Sequence, residues 1–155
     1  MKDLNITYLT ADALPGYFEK QWEYLCRDLF SEEDTEEDRA YFASEEYRGE
    51  VRRRLLDGSL LLLRFAMEGE EIGYAQVLLD RKTARVMEFW VLPPYRGKGL
   101  GSACWEETEG KLKSLGVVRV TLEAATDMAE KFWKSKGFAT LKQEFMEKAL
   151  PATGK

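Results

Sequence analysis

The sequence predicts an α/β domain of the α+β type, because strand-like and helix-like hydrophobic patterns follow one another along it. Residues 60–67 have the length and composition of a buried strand, and residues 71–79 and 85–91 follow as further strands. One helical face repeats at spacings of four, four, three and four residues; it comprises Leu14, Phe18, Trp22, Leu25 and Leu29. With 155 residues, 45% of them hydrophobic, the chain can bury a full core, so residues 1–155 are expected to form a single domain.

The first third of the sequence is predicted to be mainly helical after an initial strand. That strand covers residues 4–9, and Asp12 and Pro15 then suit the start of a helix. A further stripe with helical spacing consists of Tyr47, Val51 and Leu55. Gly58 is expected to end this stripe, and the region before it is predicted to be two short helices with a break near residues 43–44.

An acidic segment lies within this helical region, because six of the seven residues from Glu32 to Asp38 carry a carboxylate. Residues 31–34 offer a cap for the second helix. The charge run is interpreted first as a solvated surface. The alternative interpretation is an acidic rim that attracts a cationic acceptor.

The rest of the chain is predicted to be a three-stranded antiparallel meander followed by alternating helices and strands. Residues 68–70 form the first turn of the meander, and Gly73 is a candidate β-bulge. The last third is predicted to contain, in order, a helix to residue 115, a strand at 117–122, a helix at 126–136, a short strand after 138 and a strand at 144–150.

Composition and charge restrict the function. A net charge of -5 argues against a nucleic-acid binder that relies on phosphate neutralisation. The chain contains no histidine, which excludes Ser-His-Asp and Cys-His nucleophile systems within it, and no metal site is expected. Cys26 and Cys104 form no metal-binding pattern, and such thiols indicate the cytoplasm. The sequence does not begin with a signal peptide and its apolar runs are too short to span a membrane, so no membrane partner is expected.

A glycine-rich segment at residues 96–101 carries the clearest functional pattern. It follows a strand that Pro93 and Pro94 bring to an end, and it leads directly into a helix. The first N–H groups of a helix lack intrahelical partners and lie at the positive end of the helix dipole. Glycines let the backbone approach a ligand, and Arg96 and Lys98 add positive charge. The segment therefore predicts a phosphate or pyrophosphate site; the alternative is a glycine turn that binds nothing.

The spacing of this segment differs from two common nucleotide motifs. It lacks the four residues between glycines and the following Gly-Lys-Ser/Thr of the P-loop, and Gly97, Gly99 and Gly101 break the spacing of the dinucleotide fingerprint G-x-G-x-x-G. What remains is Arg-x-x-Gly-x-Gly, which resembles the acetyl-CoA pyrophosphate loop of the GNAT superfamily of N-acetyltransferases.

A second match to this family lies about thirty residues further on. The family pattern for this stretch is Asn-x-x-Ala-x-x-x-Tyr-x-x-x-Gly-Phe. Ala129, Gly137 and Phe138 occupy the positions of its alanine, glycine and phenylalanine. Thr126 stands in the place of the asparagine, and Trp133 stands in the place of the tyrosine.

The resemblance covers nearly the whole chain and implies the GNAT fold: a mixed, mostly antiparallel central sheet of about seven strands flanked by about four helices. It also implies that acetyl-CoA binds as a cosubstrate. In the family, the fourth and fifth strands separate and pantetheine inserts there like an added strand. The cofactor-binding residues implied in this chain are Phe89, Trp90 and Val91 through their backbone, and Arg96, Gly97, Lys98, Gly99, Leu100, Gly101, Ser102, Thr126 and Trp133.

Glu88 is the predicted catalytic residue. A primary amine has a pKa near 10.4 and arrives protonated, so a base must remove a proton before the nitrogen attacks. Glu88 lies eight residues before Arg96, an offset at which some family members, aminoglycoside N-acetyltransferases among them, carry a glutamate. Strand alternation sends it to the face opposite Phe89 and Val91. The alternatives are a structural partner for an arginine and a residue that only attracts the acceptor.

The resemblance implies an acetyl-CoA-dependent N-acetyltransferase that acts on a primary, cationic amine of a small molecule or protein by direct attack on the thioester. Trp133 is the departure, because the family tyrosine usually donates a proton to the leaving thiolate. Either the thiolate leaves unprotonated or another hydroxyl serves. The competing hypothesis is a catalytically silent acyl-CoA-binding or interaction protein on the same fold. A monomer or homodimer without bound nucleic acid is expected.

Overall fold

The computed structural model describes residues 3–30, 36–124, 126–142 and 144–151. Within these ranges the chain forms seven β-strands and five α-helices. Its contacts group into two compact units. One comprises the described residues up to Tyr8 and from Leu61 onward, and the other is Leu9–Leu60. The expectation of one domain over residues 1–155 stays a prediction.

The strands are β1 (Leu4–Tyr8), β2 (Leu60–Met67), β3 (Glu70–Asp80), β4 (Thr83–Val91), β5 (Arg119–Glu123), β6 (Ala139–Lys142) and β7 (Phe145–Ala149). The helices are α1 (Leu14–Tyr24), α2 (Glu36–Ala43), α3 (Glu45–Asp57), α4 (Leu100–Ser114) and α5 (Asp127–Ser135). A π-helical turn, Leu25–Leu29, continues α1.

The strands form one sheet in the order β1-β2-β3-β4-β5-β7-β6. The β4–β5 pair is parallel, whereas the β1–β2, β3–β4, β5–β7 and β6–β7 pairs are antiparallel. The predicted mixed and mostly antiparallel sheet is therefore confirmed. Parallel pairing at one place follows from chain connectivity, because α4 crosses from the end of β4 back to the start of β5.

The helical region of the Leu9–Leu60 unit contains the predicted break. Ser44 lies between α2 and α3, and its hydroxyl oxygen accepts a hydrogen bond from the Tyr47 N–H at 3.1 Å. This contact satisfies one of the N–H groups that a helix start leaves open. Gly58 ends α3 with a φ of 85°, as its position after the stripe predicts. The predicted cap at residues 31–34 lies outside the described residues.

The core of the other unit lies between the sheet and helices α4 and α5. Its residues come from strands β1 to β5 and β7, from both helices and from the segments that follow them. The most deeply buried members are Leu63, Phe65, Ile72, Ala75, Val77, Ala84, Cys104, Trp105, Leu112, Val120 and Met146.

In the ladder between β3 and β4 the β-bulge lies at Met87 of β4, so the prediction of a bulge at Gly73 is wrong. Glu88 pairs with Gln76, but Val86 already pairs with Val77, which leaves Met87 as the extra residue. Gly73 pairs regularly with Val91. The sequence pattern showed a glycine in a strand, and such a glycine marks either a bulge or a close backbone approach.

Gly73 belongs to the second of these cases. A Cβ atom at this position would lie 2.4 Å from the carbonyl oxygen of Trp90, which is part of the β4 backbone and cannot move aside cheaply. We therefore predict that Gly73→Ala lowers the free energy of unfolding by about 1–3 kcal/mol, as overpacking does elsewhere. Urea unfolding followed by circular dichroism measures this change.

Gly110→Ala is the matched control, because Gly110 lies in α4 and a Cβ there meets no atom within 4 Å. Alanine is the better helix former, so this control is expected to raise stability by about 0.5–1 kcal/mol. Equal effects of the two substitutions would contradict the close approach at Gly73.

Candidate functional site

The site begins where the ladder between β4 and β5 ends. The two strands pair from Thr83 and Arg119 to Val86 and Leu122, and β4 then continues to Val91 beyond the last of these pairs. The separation of the fourth and fifth strands that the family resemblance implied is therefore present in the described part of the chain. It creates a gap along the second half of β4.

Backbone alternation decides which residues of β4 face this gap. The Leu92 N–H donates to the Ile72 carbonyl of β3 at 2.8 Å. In an antiparallel pair the backbone groups of successive residues point to alternate sides, so the backbone of Trp90 is directed toward β3. The backbone groups of Phe89 and Val91 are directed toward the gap.

The segment after β4 turns tightly into α4. Pro93–Tyr95 forms one 3₁₀ turn, and the Arg96 Nε donates to the Val91 carbonyl at 2.7 Å. Gly97 and Gly99 have φ values of 75° and 77°. Residues other than glycine rarely adopt such positive φ values, so the backbone needs the two predicted glycines to follow this path.

The N-terminus of α4 is suited to an anion. Gly99 is the N-cap residue, no side chain caps the helix there, and its first turn contains no acidic residue. Leu100, Gly101 and Ser102 belong to that first turn and provide its N–H groups. A helix of 15 residues carries its full dipole, so these N–H groups present partial positive charge beside Lys98, which is exposed.

The start of α4 meets α5 and the end of β4 at Gly101. A Cβ atom at Gly101 would lie 3.6 Å from the Phe132 ring and 3.7 Å from a methyl group of Val91. These are ordinary contact distances, so a larger side chain at Gly101 would enter the space between the helix, Phe132 and the strand. The predicted loop and the second predicted motif are thus brought together.

Thr126 has a structural role at the start of α5. Its hydroxyl oxygen accepts a hydrogen bond from the Ala129 N–H at 3.0 Å and so caps the helix. The residue is exposed. Capping explains why a hydroxyl suits the place where the family pattern carries asparagine, since both residue types are good N-caps.

Trp133 is buried within an aromatic cluster, defined here as Phe89, Trp105, Phe132, Trp133 and Phe138. The centroid of the Trp133 ring lies 5.3 Å from that of Phe89, 5.0 Å from Trp105, 4.9 Å from Phe132 and 5.2 Å from Phe138. All four contacts have edge-to-face geometry, which is favourable for aromatic pairs. The indole therefore packs between β4, α4 and the segment that follows α5.

Glu88 is half-buried and directly follows the bulge at Met87. Phe89 points to the aromatic cluster, so Glu88 lies on the opposite face of β4, as alternation predicted. Bulges occur often beside active sites, where they redirect a side chain.

Sequence reasoning missed two polar residues on the same face as Glu88. Gln76 is its cross-strand partner and is only 3% exposed, and Tyr74 is the partner of Trp90, with ring centroids 5.3 Å apart. The available signal was a tyrosine and a glutamine within the otherwise apolar stretch 72–79 of β3. Their alignment with Glu88 depends on the register between two strands.

The pKa values of two side chains near the site, Cys104 on α4 and Tyr74 on β3, are both raised. Burial raises the pKa of the Cys104 thiol to about 12, so this residue of α4 is uncharged at neutral pH and is a poor nucleophile. Burial and the hydrogen bond donated to Glu71 also raise the pKa of Tyr74. Arg64 holds the same carboxylate at 3.2 Å, so the tyrosine hydroxyl is kept as a donor to Glu71.

Two features are absent from the described residues. No group of three or more His, Cys, Asp or Glu side chains there is arranged to hold a metal ion. None of the helices described is long and apolar enough to cross a membrane.

The chain belongs to the GNAT acetyltransferases: the model of the acetyltransferase (GNAT) domain matches residues 27–154. Membership of this family indicates the acetyltransferase class. The recognition made from the glycine segment and the second motif is confirmed.

Three relatives illustrate this similarity. The uncharacterized protein YyaT of Bacillus subtilis is 30% identical over 84 residues, which span 54% of this chain and 56% of that protein. The crystal structure of PaiA N-acetyltransferase from Thermoplasma acidophilum in complex with coenzyme A has a TM-score of 0.72 at 22% identity, covering 95% of this chain and 99% of that one. Ribosomal-protein-alanine N-acetyltransferase from Brucella melitensis has a TM-score of 0.69 at 20% identity, with 94% and 99% covered. At these identities the two structures show a shared fold.

The burial of Trp133 leads to a prediction about stability. Trp133→Ala should lower the free energy of unfolding by about 3–5 kcal/mol, because it removes the ring that contacts four others. Trp133→Phe should cost less than half as much, because it keeps an aromatic ring in the cluster. Chemical unfolding followed by circular dichroism gives both values.

Met128→Ala is the control on the same helix, because Met128 is 82% exposed. It should change stability by no more than about 0.5 kcal/mol. A cost of Trp133→Ala as small as that of this control would show that the indole does not support the core.

Proposed function

We propose that this protein transfers the acetyl group of acetyl-CoA to a primary amine. The observation that carries the proposal is the coincidence of two features on one strand. The β4–β5 ladder ends at Val86, and β4 itself ends five residues later at Val91. After one 3₁₀ turn the chain enters the glycine loop at the N-terminus of α4. One feature suits an extended amide-containing arm, and the other suits the pyrophosphate to which that arm is joined.

The gap fits pantetheine in length and chemistry. From Val86 to Val91 the strand advances about 16 Å at roughly 3.3 Å per residue. Pantetheine carries amide groups that can hydrogen-bond to a strand edge, as a peptide does when it adds to a sheet. Phe89 and Val91 direct their backbone groups to this side.

The loop after β4 fits the pyrophosphate. Gly97 and Gly99 bring the backbone to the helix start without side chains, and the first-turn N–H groups of α4 provide donors. Arg96 and Lys98 add two positive charges beside them. Arg96 also bonds to Val91, so its guanidinium is held between the loop and the end of the strand.

Charge is distributed in a way that suits an anionic donor and a cationic acceptor. Residues 9–60 contain 14 acidic and 7 basic residues, a formal charge of -7, whereas the rest of the chain carries +2. A strongly negative segment raises the local concentration of cations such as ammonium groups. This supports an amine acceptor over an anionic one.

Glu88 is proposed as the base that removes the proton from the acceptor ammonium group. It lies on the face of β4 opposite the aromatic cluster and next to the bulge, in a strand whose edge faces the gap. A carboxylate can accept this proton directly or through one water molecule. A backbone N–H of β4 directed to the gap would polarise the thioester carbonyl as an oxyanion donor does.

The leaving thiolate is proposed to depart without a proton from Trp133. The indole is held within the aromatic cluster, and its N–H is not an acid comparable with a tyrosine hydroxyl. A thiol has a pKa near 8.5, so its thiolate is a tolerable leaving group near neutral pH. The same substitution favours the second candidate function, a protein that binds acyl-CoA and does not turn it over.

One pair of measurements separates the two functions. Calorimetry reports binding of acetyl-CoA, and a thiol reagent reports the release of CoA in the presence of a panel of polyamines, amino acids, aminoglycosides and peptides. Binding together with amine-dependent thiol release supports the transferase. Binding without release for every amine supports the silent binder, and the absence of binding would overturn both.

Ser102→Asp tests the anion site. A carboxylate at this first-turn position is favourable for the helix dipole, so stability should be unchanged or slightly higher. The same charge repels a pyrophosphate, so the affinity for CoA measured by calorimetry should fall at least about tenfold. The asparagine of Ser102→Asn has nearly the same shape as the aspartate but carries no charge. The affinity of this variant for CoA should therefore stay within about threefold of that of the wild type. Equal affinities of the two variants for CoA would show that the pyrophosphate does not bind at the N-terminus of α4.

Glu88→Gln tests the base. The substitution keeps the shape of the side chain but removes its ability to take a proton, so turnover at neutral pH should fall by roughly two to four orders of magnitude. Acetyl-CoA affinity should remain near that of the wild type. The pH profile of turnover is the decisive measurement. A loss below threefold across the profile would assign Glu88 to structure or to attraction of the acceptor.

A further inference from the structure

The gap beside β4 has a closed end. The strands separate after Val86 and Leu122, so the paired backbones of these two residues form its inner limit. Their side chains are 7% and 2% exposed and belong to the core. No extended ligand can pass this point without opening the β4–β5 ladder.

The wall of the gap on the helix side is aromatic near this end. Phe89 is the nearest residue of β4 whose side chain points to the helices, and its ring contacts four others. One is Phe65 of β2, at a centroid distance of 5.6 Å, and the other three belong to the aromatic cluster. The ring centroids lie 5.3 Å from Trp133, 6.0 Å from Trp105 and 6.1 Å from Phe132, and the Phe132 ring is stacked on it. Trp133 and Trp105 are also in contact, at 5.0 Å, so the rings behind Phe89 support each other.

We propose that Phe89 and the rings behind it form a stop that restricts the acyl donor to acetyl-CoA and excludes longer acyl-CoA thioesters. The inference rests on the proposed function, since it requires CoA to lie along β4. With the pyrophosphate at the N-terminus of α4, the acyl end of an extended donor points toward the closed end. The stop gives the tryptophan at position 133 a role that needs no proton donation.

Each direction open to a longer acyl chain is restricted. The direction along β4 ends at the Val86–Leu122 pair. The direction toward the helices meets Phe89, whose ring packs edge-to-face against Trp133, which is 7% exposed. The remaining direction is the face of Glu88, where the proposed function requires the amine to enter.

The test compares the binding of acetyl-CoA, butyryl-CoA and free CoA by calorimetry. For the wild type, butyryl-CoA should bind at least about tenfold more weakly than acetyl-CoA, a usual scale for a pocket that rejects extra methylene groups. Phe89→Leu removes ring atoms from the stop and should bring the ratio of the two Kd values close to one. The Kd of free CoA measures any effect of Phe89→Leu on the part of the donor that all three ligands share, and the ratio of the two acyl-CoA Kd values is independent of that effect.

Phe138→Leu is the matched control, because it removes the same atoms from the same aromatic cluster away from β4. Phe138 contacts Trp105 and Trp133, at 5.6 and 5.2 Å. If loosening of the cluster were sufficient, both variants would change the ratio equally, and the stop would not be at Phe89. Phe89→Met is a second variant of similar volume that keeps the test possible if the leucine variant does not fold.

The outcomes separate the inference from the proposed function. If no form of CoA binds the folded wild type, the proposed function fails. If acetyl-CoA and butyryl-CoA bind the wild type within threefold of each other, the donor site stands and the acyl stop is wrong. A wild-type preference for acetyl-CoA that Phe89→Leu abolishes and Phe138→Leu retains supports the stop.

Discussion

The separation of β4 from β5 is the constraint on which the rest of the site depends, and the outer neighbours of the two strands hold it in place. At its far end β4 stays bound to β3, because the Leu92 N–H donates to the Ile72 carbonyl. The end of β5 is bound to β7 instead, through the Glu123–Phe145 pair and the hydrogen bond from the Ala124 N–H to the Glu144 carbonyl. The gap thus lies between two strands that are each anchored on the side away from it.

The bulge at Met87 links this gap to the opposite face of the sheet. Without the extra residue, strand alternation from Val86 would place Glu88 on the core side, together with Val86 and the aromatic cluster. With it, Phe89 points to the cluster, and Glu88 lies beside Gln76 on the other face. One additional residue therefore places an aromatic wall and a carboxylate on opposite sides of the same short stretch of strand.

The aromatic cluster shows how a departure from the family pattern can be accommodated. A tyrosine in the place of Trp133 would offer a hydroxyl, whereas the indole offers a larger ring that meets four neighbours. Hydrogen bonds to the Glu109 carboxylate support this packing. This carboxylate accepts hydrogen bonds from the Trp105 indole at 3.1 Å and from Lys148 at 2.7 Å, and Lys148 also donates to the Lys136 carbonyl at 2.6 Å. Helix α4, strand β7 and the end of α5 are thereby joined at one point.

The sequence by itself determined the features that depend on residues close together in the chain. Helical spacing, the break before α3, the end of that helix at Gly58 and the glycine loop before α4 all follow from local periodicity, capping and backbone freedom. The two short motifs were enough to recognise the family.

Only the tertiary structure decided the position of the bulge, the end of the β4–β5 ladder, the alignment of Gln76 with Glu88 and the burial of Trp133 among four rings. Gly73 illustrates the difference, since a glycine within a strand permits both a bulge and a close approach. The choice between them depends on the Trp90 carbonyl of the neighbouring strand. Register and packing join residues that are distant in sequence, so a local pattern does not contain them.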